Sequence, residues 1–266
     1  MSTKNVGEIK GILGEAVDQG VISKKALQII DINDTVLAGI NGMDVEEIQA
    51  TDVTLVTMII DDSGSIRFSG LTDSVREGQN QMIGAIEKSK QKDNILIAQW
   101  KLGSEPELIQ SYLPIDQSIR LDHSNYNPQS GTALYDTWMT VAAANVAYAQ
   151  KLKASGRPVK SIIVIITDGR DEGSARFSAS DCARINKDLL MSEQFIIAFV
   201  GVADNTHNET LFRMVAEEMG FPDGSVLTAD ATPSEMRKVF NVVSQSAIRA
   251  SQKAVTPGAQ NSFFNP

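Results

Sequence analysis

Residues 53–65 read Val53-Thr54-Leu55-Val56-Thr57-Met58-Ile59-Ile60-Asp61-Asp62-Ser63-Gly64-Ser65. The first eight are apolar or β-branched without the in-out alternation of a half-exposed strand, the pattern of a strand buried on both faces of a parallel sheet. The run then breaks into five small or acidic residues. A second stretch, Ser161-Ile162-Ile163-Val164-Ile165-Ile166-Thr167, repeats the pattern and passes directly into Asp168-Gly169.

Outward from these two runs the chain alternates. Leu71, Val75, Gly78, Met82 and Ile86 recur near the helical period and predict a helix covering the sheet. Residues 95–100 and 108–112 read as short strands joined by a Gly- and Pro-containing turn, a candidate hairpin. A helix is predicted from Thr132 through Leu134, Trp138 and Ala142 toward Lys151, stopped by Gly156 and Pro158. Helices near 178–190 and 208–219 and strands near 195–202 and 225–228 follow, with Thr206 and Glu209 at capping-box spacing. Thr232, Pro233 and Glu235 open a last helix that presents Met236, Phe240, Val243 and Ala247 on one face. The pattern predicts an α/β fold: a doubly wound, mostly parallel open sheet flanked by helices. It divides the chain into a small helical or mixed appendage over residues 1–50, a main domain over 51–251, and a tail over 252–266 without periodicity.

The 266 residues are 42% hydrophobic and 21% charged, an ordinary globular composition. A formal net charge of -9 without a dense Lys/Arg block argues against nucleic acid, whose phosphates would be repelled. The first residues contain no apolar signal core and the later apolar runs are only strand-length, so a cytoplasmic protein without membrane insertion is expected. Cys182 is the single cysteine. It shares helical spacing with Ile185 and Leu189, and reads as a core residue. His123 and His207 lie in polar, Asn-containing contexts and read as loop residues, Trp138 as core, and Tyr135 as a candidate rim residue. Phe263 and Phe264 are either a short docking element or part of the tail.

The chemistry gathers at the strand ends. Gly64 permits a tight turn that brings Asp61, Ser63 and Ser65 toward one point, while Thr132 and Asp168 arrive from a loop-helix junction and the end of the second strand. Carboxylates with neutral hydroxyls form an oxygen set suited to Mg²⁺. The same groups can instead cap turns and bind backbone amides.

Three separated pieces, Asp61-x-Ser63-x-Ser65, Thr132 within Ser130-Gly131-Thr132-Ala133-Leu134, and Asp168-Gly169, resemble the von Willebrand factor A family at its metal-ion-dependent adhesion site (MIDAS). The resemblance covers roughly residues 51–251. It implies a Rossmann-like fold, a divalent-metal site with Ser63, Ser65 and Thr132 as ligands, and Asp61 and Asp168 as direct or water-mediated ligands. Asp62 and Ser130 depart from the family's commonest wording, and Asp62, Asp136, Asp171 and Glu172 add acidity that leaves Ca²⁺ or Mn²⁺ open beside Mg²⁺. The helix opening Thr232-Pro233-Ser234-Glu235 is similar to that of bacterial intracellular members associated with tellurium resistance.

By that resemblance the expected function is divalent-metal-dependent protein recognition, with a partner's Asp or Glu filling an open position on the metal. The alternatives are a metal-stabilised structural subunit of a larger assembly and a metal-dependent phosphohydrolase. The chain lacks the Asp-x-Asp pattern of aspartyl-phosphate hydrolases at Asp61, a Gly-x-x-x-x-Gly-Lys-Ser/Thr phosphate loop and a Gly-x-Ser-x-Gly elbow, so it is expected not to be an enzyme.

Overall fold

A computed structural model describes residues 3–204, 206–252 and 263–264. Its centre is one sheet of β1 (Val53–Asp61), β2 (Ile95–Leu102), β3 (Pro106–Pro114), β4 (Val159–Thr167), β5 (Phe195–Ala203) and β6 (Val226–Asp230), in the order β3-β2-β1-β4-β5-β6. All neighbouring pairs are parallel except β2 and β3, which form the expected hairpin. Every residue of β1 and of β5 is buried, as their unbroken apolar runs require.

The helices are α1 (Thr3–Asp18), α2 (Lys24–Ile29), α3 (Asp34–Ile40), α4 (Gly64–Phe68), α5 (Thr72–Glu87), α6 (Leu134–Ala154), α7 (Ala179–Met191), α8 (Thr206–Glu218) and α9 (Pro233–Gln252). Side-chain alternation along the strands divides the apolar interior in two. Leu55, Ile59, Ile163, Ile165, Ile197 and Phe199 share one cluster with residues of α6, α7 and α8. Val56, Met58, Ile60, Ile162, Val164 and Ile166 share the other with residues of α5 and α9.

α6 is buried on nearly every side because α1 and α3 pack over it. Ala142, Ala143, Ala144, Ala147 and Ala149 keep it slim enough for that position. Ile9, Leu13 and Val36 join the same apolar cluster as Leu55. Trp138 is fully buried and its indole N–H donates to Asn186 Oδ1 at 2.8 Å. Cys182 is also fully buried, and burial pushes its thiol well above the ordinary range.

Three local expectations change. Ser178 forms a capping box with Asp181 at the start of α7. Thr206 is the first residue of α8, and Glu209 turns to Thr228 Oγ1 and Arg213 instead of closing a box with it. His207 therefore lies in a helix, while His123 Nδ1 is 2.8 Å from Arg76 Nη1. Of the expected tail, residues 253–262 and 265–266 lie outside the described residues. Phe263 is buried in the cluster beneath α5 and α9, and the Phe264 amide donates to Gly224 O at 3.1 Å.

Candidate functional site

The chain winds from β1 outward to β2 and β3, then crosses back to β4, β5 and β6, so the direction of winding changes between β1 and β4. The helices that follow these two strands lie on opposite faces, which opens a crevice beyond their carboxyl ends. Asp61 ends β1, and Asp168 follows the last residue of β4.

Asp61 is almost wholly buried. Its Oδ1 accepts from the Ser63 amide at 2.8 Å and its Oδ2 from Thr167 Oγ1 at 2.5 Å. Ser63 precedes the first turn of α4 and is held against the next loop by a parallel bridge to Ser130, reinforced by Gly64 N donating to Ser130 O at 3.0 Å. This sets the Ser63 and Ser65 hydroxyl oxygens 2.8 Å apart, and 3.3 and 2.8 Å respectively from Asp168 Oδ1. Thr132 is buried beside them: a Cβ built on Gly169 would come within 3.2 Å of Thr132 Oγ1. The five sequence-predicted residues therefore do meet at one place.

Two carboxyl groups at such close quarters oppose each other's ionisation. Burial raises Asp61, against the hydrogen bonds from Ser63 and Thr167 that favour its charged form. Burial and then the charge of Asp61 push Asp168 up to about 7, against the Ser65 and Ser63 hydroxyls. Asp62 rises to about 6, chiefly by burial, with Lys101 opposing.

The donor set does not fit a metal centre. Among the described residues no group of three or more His, Cys, Asp or Glu side chains is placed to hold a metal ion. Both Asp61 oxygens are closed by internal donors, and the Ser63 and Ser65 hydroxyls turn to Asp168 and to each other. Hydroxyl donors from Ser63, Ser65 and Thr167 meet the two carboxyl groups, whose pKa values burial raises. The expected MIDAS, its Mg²⁺, Ca²⁺ or Mn²⁺, and a partner's Asp or Glu bound through that metal are therefore corrected.

The acidity expected around the site is also spent elsewhere. The Asp136 carboxylate accepts from the amides of Ala175 (3.1 Å), Arg176 (3.2 Å) and Phe177 (2.9 Å), and from Arg176 Nε at 3.3 Å. In return Asp171 Oδ1 accepts from Tyr135 N and Ser174 Oγ from Asp136 N, satisfying amides in the first turn of α6. Loop 170–177 and α6 thus cap one another and form one wall. The opposite wall is locked by Ser104 and Ser130: Ser104 N donates to Ser130 Oγ at 2.8 Å, and Gly131 N to Ser104 Oγ at 2.9 Å. Between the walls lies a crevice of about 300 Å³, rimmed by Ser65, Gly131, Thr132, Arg170 and Leu211.

Sequence reasoning missed Thr167, Tyr126, Ser104 and the use of Asp136. Thr167 alone carried a signal, as the polar residue closing an apolar strand immediately before Asp168.

Residues 56–242 match the family model described as von Willebrand factor type A domain. Comparison with curated proteins gives no match. Among solved structures, the chain is similar to the PilB minor pilin from Streptococcus sanguinis, with 13% identity, TM-score 0.52, and coverage of 76% of this chain and 63% of the pilin. It is also similar to the pilus adhesin SpaC from Lactobacillus rhamnosus GG, with 13% identity, TM-score 0.54, and coverage of 76% and 30%. The vWF domain of the type V pili tip protein Mfa5 from Porphyromonas gingivalis gives 12% identity, TM-score 0.52, and coverage of 77% and 98%. The chain spans less than two thirds of the pilin and about a third of the adhesin. The expectation of a cytoplasmic, tellurium-resistance-associated protein is corrected: the three structures of this fold named here are of pilus proteins. Among the described residues no helix is long and apolar enough to cross a membrane.

Proposed function

The chain belongs to the von Willebrand factor type A domain family, and from that premise we propose that it is a protein-interaction subunit of a larger assembly, docking its partner at the crevice beyond β1 and β4. On this reading it is a binding module and not an enzyme, which its match to the von Willebrand factor type A domain supports. The observation that carries the reading is the crevice itself, about 300 Å³, set at the switch in winding between a wall where loop 170–177 and α6 cap one another and a wall locked by Ser104 and Ser130. Such a site presents hydroxyls and backbone groups from fixed positions, which suits hydrogen bonding to another protein's surface. Exposed Ser65 and Arg170 supply polar contacts, and Leu211 an apolar one. The pilin, adhesin and pilus-tip structures of the same fold support a place within an assembly.

Photo-cross-linking tests this directly. A photoreactive residue replacing Ser65 or Leu211 is expected to capture the partner, whereas one replacing exposed Met191 at the far end of α7 is not. Capture is expected to be equal in chelator and in Mg²⁺. Capture at Met191 alone would move the docking surface elsewhere, and capture abolished by chelator would overturn the metal-free reading.

A further inference from the structure

The two edges of the sheet differ. β3, at one edge, begins at Pro106, ends at Pro114 and pairs with β2 in an irregular register. The chain also crosses it: Met43 N donates to Tyr112 O at 2.8 Å, and Ser111 Oγ to Gly39 O at 2.6 Å. Prolines, a bulge and a covering segment keep another strand from adding to an edge. β6, at the other edge, reads Val226-Leu227-Thr228-Ala229-Asp230, without proline or register shift, and pairs in parallel with β5 alone. Among the described residues no backbone group of residues 226–229 bonds to another segment on the outer side. The bond from Phe264 N to Gly224 O lies in the turn before β6 and not along it.

A second cavity, of about 200 Å³, lies at the carboxyl end of this edge. Thr228, Ala229 and Asp230 line it together with Glu209 of α8, from one face of the sheet, and Glu235 of α9, from the other. Three carboxylates and no cationic side chain face it. Glu209 is met by Arg213 and Glu235 by Lys238, but both pairs are at the surface, where such pairs are weak and exchange readily. Asp230 is exposed and makes no ion pair among the described residues.

We propose that β6 is a strand-addition site for a basic, extended segment of another protein. The backbone of that segment pairs along the open edge, while one of its Lys or Arg side chains enters the acidic cavity at the end of the edge. Main-chain hydrogen bonds to the edge supply affinity for any extended chain, and the cavity selects among such chains by charge. The edge is what makes the carboxylates a subsite: a strand paired along β6 as far as Asp230 brings a side chain level with them. An acidic segment has the same backbone but meets repulsion there. Asn208 and Leu211 of α8 line the crevice and Glu209 lines the cavity, so the two sites are neighbours across the first turns of α8 and share no residue. The inference therefore goes beyond the crevice reading and does not depend on it.

The test is a titration of the full chain, read by backbone amide chemical shifts, with a capped peptide of alternating valine and threonine bearing one central lysine. Shifts are expected at residues 226–230, Glu209 and Glu235, with slowed amide exchange along β6. The same peptide methylated on alternate backbone nitrogens cannot pair with an edge and is expected to lose binding. Glutamate in place of the lysine is expected to weaken binding about tenfold or more. Asp230→Asn/Glu235→Gln keeps the shape of both side chains and is expected to erase most of the preference for lysine while pairing along β6 persists. Equal binding of the lysine and glutamate peptides would overturn the proposal, as would undiminished binding of the methylated peptide. Shifts confined to the crevice around Ser65, or no shifts at all, would overturn it too. Failure of cross-linking at Ser65 would count against the crevice reading alone.

Discussion

Tyr126 donates its hydroxyl to the backbone carbonyl of Asp61 at 2.5 Å. The ring is fully buried, and Arg76 of α5 donates to Tyr126 O through Nε at 3.0 Å and Nη2 at 2.6 Å. One residue of a polar loop thereby ties that loop both to the end of β1 and to a helix. Burial, with the nearby charges of Asp61, Asp62 and Asp168, holds the phenol well above its ordinary range, so it stays a donor. Tyr126→Phe removes only the hydroxyl and leaves a buried carbonyl short of a partner. A loss of about 1–2 kcal/mol in urea unfolding is expected, and an unchanged midpoint would show that the bond contributes nothing.

Asp136 is the corresponding tie on the other wall. Asp136→Ala would leave the amides of Ala175, Arg176 and Phe177 without their acceptor. Losing these part-buried bonds to one carboxylate corresponds to a loss of about 1–3 kcal/mol. Amide exchange at residues 175–177 is expected to accelerate while exchange in β1 and β4 tracks only the global change. Protection retained at 175–177 would remove Asp136 from its role as a clamp.

These two ties mark where the sequence stops being legible. Strands β1, β4 and β5 announce themselves because a run of apolar, β-branched residues can only be a doubly buried strand at that length, and α9 because Thr232 and Pro233 open it with a helical stripe behind them. The meeting of Asp61, Ser63, Ser65, Thr132 and Asp168 is equally legible, since each stands at the end of an element whose direction the pattern fixes. What the five residues do with their oxygens is not. That depends on Thr167 closing Asp61 and on Ser63 and Ser65 turning to Asp168, which are distances and not residue types. Tyr126 sits in a loop without periodicity, so its burial arises only from tertiary contact. Asp136 reads as added acidity until the loop some forty residues later supplies the amides it binds.

Helix α5 approaches α9 at Gly78, where a Cβ would come within 2.2 Å of Phe240 Cδ2. Gly78→Ala should gain up to about 1 kcal/mol of helix propensity, yet forcing the ring aside costs about 1–3 kcal/mol. A net loss of up to about 2 kcal/mol is expected. Phe240→Leu frees space at the same point, so the double variant should lose less than the sum of the singles. Strict additivity would refute the contact as the cause.

Protonation at the crevice makes stability depend on pH with a definite sign. Asp168 is raised from 3.8 to about 7 and Asp62 to about 6, while Asp61 moves in the same direction. A raised carboxyl pKa means that the folded chain holds a proton over a range where the unfolded chain has already released it. The contribution of these groups is therefore fully present below the unfolded value of 3.8 and is lost as pH rises through about 6 for Asp62 and about 7 for Asp168. Stability attributable to them should fall from pH 5 to pH 8. Asp168→Asn keeps an oxygen to accept from Ser63 and Ser65 but carries no charge to be penalised by burial or by Asp61. Allowing for partial exposure, the variant should be more stable than wild type at pH 8 by about 1–3 kcal/mol and nearly equal to it at pH 4. Denaturant titrations of both proteins across that range decide the matter. A variant less stable than wild type at pH 8 would mean that the ionised carboxylate is favoured in the fold, and that the cost assigned to placing Asp168 beside Asp61 is wrong.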